Sequence, residues 1–156
     1  MRGQGRLRVT HGDNSVARAL AWLLRLPPAG DAVETRLVVT PCAEGETWQR
    51  TLGGHPFNSR QYPAGNGDVA ERFGLLELRF RRDEIDSGTT FSQTGAALVA
   101  GPLRIPLPRR CAPAVSARED RVGIRTRHID VRVVLPVVGP VLTYEGSIDV
   151  DEAAAS

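Results

Sequence analysis

Hydrophobic and polar residues alternate singly along most of this chain. The clearest case is LLELRFRR at 75–82, where Leu76, Leu78 and Phe80 share one face and Glu77, Arg79 and Arg81 the other. A period of two over that length predicts a half-buried antiparallel strand. Similar runs predict strands at 6–10, 33–40, 46–52, 89–99, 114–119, 124–135 and 141–150, some joined by turn-forming segments such as PCAEG and DSG. Within 124–135 the alternation changes phase. Ile124 and Thr126 share one face, whereas Ile129, Val131, Val133 and Leu135 occupy the other, which predicts a β-bulge near Arg127 and His128. The segment GGHPFNSRQYPAGNGD at 53–68 is rich in Gly, Pro and Asn and reads as the longest loop, a candidate site wall.

One segment breaks the two-residue period. Residues 16–26 hold nine apolar residues of eleven, follow the N-cap candidates Asn14 and Ser15, and stop at Pro27-Pro28. This predicts a helix. Arg18 and Arg25 lie within about 20° of each other around its axis and form one narrow polar stripe with Trp22 at its edge. A helix so apolar needs cover on most sides, which a concave sheet supplies and a flat one does not. The expected fold is α+β and mainly β: a strongly curved antiparallel sheet of eight or nine strands, a half-barrel, packed around one N-terminal helix. It fills residues 1–150 as one domain, with 151–156 as a frayed tail.

The segment GPLRIPLPRR at 101–110 fits an edge or rim strand. Pro102, Pro106 and Pro108 remove backbone donors from one edge only, while Leu103, Ile105 and Leu107 share a face expected on the core. Proline on an outer edge also discourages pairing with another chain.

Composition narrows the class. The chain has 156 residues, 41% of them hydrophobic and 24% charged, within the range of a globular domain with its own core. All 20 basic residues are arginine, yet the net charge is only +2 and acids mix with bases throughout, so no nucleic-acid partner is expected. Cys42 and Cys111 form no CxxC pair and read as two buried reduced thiols. The N-terminal arginines before 16–26 resemble a signal peptide superficially. Arg18 and Arg25 interrupt that run, however, and it is too short to span a bilayer. The expectation is a soluble cytoplasmic protein without a transmembrane segment.

His11, His55 and His128 stand far apart in dissimilar contexts, with no HxH, HxxxH or HExxH spacing, so no metal is expected. Neither GxSxG nor a P-loop occurs. Trp22, flanked by arginines, is a candidate anchor for a ligand or partner, with core packing as the simpler reading.

Several pieces in order carry a resemblance: LLRLPPAG (23–30), Trp48-Gln49-Arg50 with GGHPFNSR (53–60), ERFG (71–74), GPLRIPLP (101–108) followed by Pro113 and Glu119, and LPVVGPVLTYEG (135–146). Together they resemble a bacterial family known only as a domain of unknown function, the one numbered 4166. In that family the domain stands alone or follows a saccharopine-dehydrogenase-like, nucleotide-binding domain, which implies a reductase-like protein as a partner. No GxGxxG follows a strand here, and no cofactor is expected. The resemblance transfers architecture and context but no catalytic residue.

Arg60, Glu71, Glu119 and Tyr144 lie in the shared pieces and are the candidate pocket or ion-pair residues. A carboxylate such as Glu119 beside Arg60 would serve as a general base with a charged orienter, or as a buried pair fixing register. His128, at the expected bulge, is a further candidate. The leading expectation is a non-catalytic module that binds an apolar small molecule or lipid between helix and sheet, or docks on an oxidoreductase. The alternative is a cofactor-independent enzyme of isomerase, cyclase or hydrolase type, built on a carboxylate and arginine pair in a sheet cavity.

Overall fold

Antiparallel pairing runs from each long strand to the next in chain order, and the last strand returns to the first. The computed structural model describes residues 1–23 and 26–151. The elements are β1 (Arg2–His11), α1 (Ser15–Leu23), β2 (Gly30–Cys42), β3 (Gly45–Leu52), β4 (His55–Pro56), β5 (Ser59–Gly65), β6 (Asp68–Phe73), β7 (Leu76–Ile85), β8 (Gly88–Ala100), β9 (Leu103–Pro106), β10 (Ala114–Arg121), β11 (Thr126–Leu135) and β12 (Gly139–Asp151). β1 pairs with β12 on one side and β2 on the other, and β10 pairs with β8. Ten strands therefore close into a barrel, with the short β4 and β9 attached to β3 and β8. The architecture is a full barrel and not the expected half-barrel of eight or nine strands.

The closing seam depends on β8. One edge of this strand is shared, with Ala97–Ala100 pairing to β9 and Gly88–Ser92 to β10. A register shift against β7 at Arg79/Phe80 lets Phe80 face Gln93 while Arg79 faces Gly95. Gln93 fills the gap between the two partner strands. Its Nε2 donates to the Pro113 carbonyl at 2.8 Å, and its Oε1 accepts from the Val115 amide at 2.7 Å. A side-chain amide thus replaces a missing rung of the ladder. At the far end of the seam a Cβ on Gly88 would overlap the Glu119 carbonyl oxygen, so only glycine lets the strands approach there.

The helix corrects the expectation more sharply. Asn14 caps it, its Oδ1 accepting from the Ala17 amide at 2.7 Å. Ala17 and Ala21 are buried, whereas Val16 and Trp22 are exposed. α1 contacts β12 and β1 at one end of the barrel, and with Val16 and Trp22 exposed it is not the enclosed helix that was expected. Leu24 and Arg25, and with Arg25 half of the expected polar stripe, lie outside the described residues. So does the tail from residue 152, while Asp151 ends β12.

The segment at 53–68 is not one loop, for it contains β4, all of β5 and the first residue of β6. No bulge occurs at Arg127-His128, where β10 and β11 pair in unbroken register. Ile124 sits in the turn, fully exposed, so the apparent change of phase is the end of the strand. The segment at 103–106 is an edge strand as expected, but Leu103 and Ile105 are exposed and only Leu107 packs on the core. Cys42 and Cys111 are free thiols, the first half-buried and the second exposed.

Candidate functional site

Strand polarity sorts the connections between two barrel ends. Tight turns at 43–44, 66–67 and 86–87, together with the 122–125 turn, close one end. The other end carries α1, Leu26, the β6–β7 turn and the β8–β9 hairpin. Leu75, Leu98, Leu103 and Ile105 are exposed there. Leu98 and Ile105 are register partners, and Leu98 also pairs with Leu76. These side chains make an apolar lip, continuous with the interior through Leu76, Leu98 and Leu107, which line it.

The interior is a cavity of about 710 Å³. Side chains fill an eight-stranded barrel, and diameter grows with strand number, so ten strands leave space. Leu78, Phe80, Phe91, Val115, Val131 and Val133 supply one wall, all aliphatic or aromatic. The polar groups come mainly from β3, β5, β6 and β12. On β3, alternation puts Trp48, Arg50 and Leu52 on the inner face. On β5 and β6 it puts Ser59, Gln61 and Glu71 inward, and on β12 Tyr144.

These groups form one cluster. Arg50 Nη2 donates to Glu71 Oε1 at 2.9 Å, and Arg50 Nη1 donates to Ser59 Oγ at 2.7 Å. Ser59 Oγ donates to the same Glu71 oxygen at 2.5 Å. The Arg50 guanidinium also lies 4.8 Å from the Trp48 ring centroid. Both charged side chains are more than 85% buried, at 14% and 12% exposure, so each needs the other. Tyr144 lies close enough to feel both charges, and burial pushes its phenol up to about 12. Its hydroxyl makes no hydrogen bond to the described residues and has access to the cavity.

Three of the six candidate residues face the lumen and three do not. Glu71, Glu119 and Tyr144 line the lumen. Arg60 points outward and pairs with Glu44 at 3.2 Å. His128 alternates with the inward Ile129 and faces outward beside Ser147. Trp22 is 82% exposed on α1. Glu119 instead meets Arg127 at 3.4 Å. Arg60 and Glu119 therefore stand on opposite faces of the wall, and the expected pair does not exist. The carboxylate and arginine that do share the lumen are Glu71 and Arg50. Sequence reasoning missed Arg50 although a sign was present, because it falls in phase with Trp48 and Leu52 on the apolar face of ETWQRTL.

A second network lies on the outer face. Glu77 is only 4% exposed although it points away from the lumen. Tyr62 Oη donates to Glu77 Oε2 at 2.5 Å, and Arg104 and Arg79 donate to Oε1 at 2.6 and 3.3 Å. Burial alone would raise this carboxyl's pKa, but the bonds from Tyr62, Arg104 and Arg79 outweigh burial and hold it below the ordinary value. Among the described residues, no three His, Cys, Asp or Glu side chains converge as a metal site would require. No described helix is long and apolar enough to cross a membrane.

The family model described as Domain of unknown function (DUF4166) matches residues 1–148, and the chain belongs to that family. No curated protein and no solved structure matches it.

Proposed function

We propose, with membership of this family as the premise, that the protein is a binding module which holds an apolar or amphiphilic small molecule inside the barrel. The observation that carries this reading is the lumen itself, a space of about 710 Å³ with a mainly hydrocarbon lining. That volume falls within the range of small-molecule sites, about 300–1,000 Å³. Ordered water fits poorly along the aliphatic wall, because a water molecule needs about two to four polar partners. A hydrocarbon chain needs none, and each CH₂ it buries contributes about 0.8 kcal/mol. The lip at Leu75, Leu98, Leu103 and Ile105 gives such a chain an apolar route inward.

A binding role fits the polar groups better than a catalytic one. Arg50, Ser59 and Glu71 are bonded to one another, so the carboxylate is held as an ion-pair partner. To test the reading, purified protein is extracted with organic solvent and the extract examined by mass spectrometry. Neutral long-chain compounds are then added back to the delipidated protein. A ligand at a hundred times its Kd stabilises by about 2.7 kcal/mol, which raises Tm by roughly 5–10 °C at this chain length. An empty extract, together with a Tm that no such compound moves, would contradict the proposal.

A further inference from the structure

We infer that the lumen selects a hydrocarbon chain bearing a neutral oxygen head, a carbonyl, ester or hydroxyl, and that Tyr144 Oη donates the hydrogen bond that fixes it. The inference rests on the lumen being a ligand site and adds the chemistry of the ligand's polar end.

Two observations carry it. The first is the state of Tyr144. On β12 it faces the lumen beside Val131, its register partner on β11, with its hydroxyl unbonded to the described residues and open to the cavity. Burial keeps the phenol protonated across the physiological range, so it offers a donor and not a charge. A donor without a protein partner inside an apolar cavity is costly unless something else accepts from it.

The second is the charge balance. Arg50 and Glu71 are matched one to one and nearly buried, with Ser59 bridging them. Glu119 and Arg127 form a further ion pair on this side of the wall. A carboxylate head beside Tyr144 would add an unmatched negative charge near Glu71 where water does not screen it. An ammonium head would do the same near Arg50. A neutral acceptor meets neither penalty. It takes the hydrogen bond from Tyr144 and leaves the ion pair intact, while the chain lies along the aliphatic wall.

The test is displacement of a neutral apolar fluorophore, Nile red, by ligands of one chain length: dodecane, dodecan-1-ol, dodecan-2-one, dodecanoate and dodecylammonium. In the natural sequence the alcohol and ketone are expected to bind about tenfold more tightly than dodecane, and both ions more weakly than the alcohol. In Tyr144→Phe the gap between dodecan-2-one and dodecane should close while dodecane affinity holds. Retained dodecane binding also reports that the variant is folded. A preference for dodecanoate, or a ketone advantage that survives Tyr144→Phe, overturns the inference and leaves the lumen site standing. If Nile red itself fails to bind saturably, the lumen reading falls and this inference with it.

Discussion

Arg50 on β3 and Glu71 on β6 meet at 2.9 Å across the intervening β5, inside the barrel wall, with Ser59 bonded to both. Removing one member leaves the other charged and buried. Glu71→Gln is therefore expected to destabilise the fold by about 3–5 kcal/mol, read from urea denaturation. Replacing both members with apolar residues should recover most of that loss. The same Glu71→Gln substitution frees Arg50, so dodecanoate affinity should rise relative to dodecan-1-ol. A single substitution with no stability cost would mean that the pair is not desolvated.

Glu77 ties three strands from outside, through Tyr62 on β5, Arg104 on β9 and Arg79 on its own β7. Because its pKa is depressed in the fold, its contribution is fully present above the ordinary glutamate value near 4.5 and is lost as pH falls through the lower folded value. Glu77→Gln should cost about 1.5–3 kcal/mol at neutral pH. The gap between the two proteins should stay constant down to about pH 5 and narrow below it. Chemical denaturation at a series of pH values checks both the size and the direction.

Closure of the barrel rests on the β8–β10 seam. Gln93→Leu leaves the Val115 amide and the Pro113 carbonyl without their partner, at a cost of about 1–3 kcal/mol. Gly88→Val forces β10 away from β8. Hydrogen exchange should quicken at β10 and the first half of β8 in either variant, while β1, β2 and β12 stay protected. Uniform protection in both variants would argue that the seam does not hold the barrel shut.

The apolar lip gives a kinetic expectation. Leu103→Asp with Ile105→Asp places charge on the route inward without touching Arg50, Glu71 or Tyr144. Stopped-flow mixing with Nile red should show association and dissociation both slowed several-fold, with Kd unchanged. A changed Kd with unaltered rates would place access elsewhere.

Eight of the long strands were legible because a wall between lumen and solvent imposes a two-residue period. β5 was not, and the reason is physical. Its inward side chains include Ser59 and Gln61 and its outward ones Arg60 and Tyr62, so polarity does not alternate where the lumen itself is polar. With β5 and β6 hidden, the remaining strands trace an arc that stops short of a ring. Period alone says which face a residue takes and not whether the last strand meets the first. The helix misled for a different reason. Its apolar composition suggested a buried segment, yet Val16 and Trp22 face outward. At the site, Glu71 and Tyr144 were found through the family pieces, whereas Arg50 needed the alternation of 46–52 to be read as a lumen position.

The central claim is that a ligand occupies the lumen, and the chain's two tryptophans test it most directly. Trp48 lines the cavity and Trp22 stands in solvent on α1. Trp22→Phe leaves Trp48 as the sole reporter, and Trp48→Phe leaves Trp22. Titration with a dodecanol brominated along its chain should quench Trp48 emission saturably and leave Trp22 emission unchanged. Equal quenching of both, or quenching of Trp22 alone, would contradict the account.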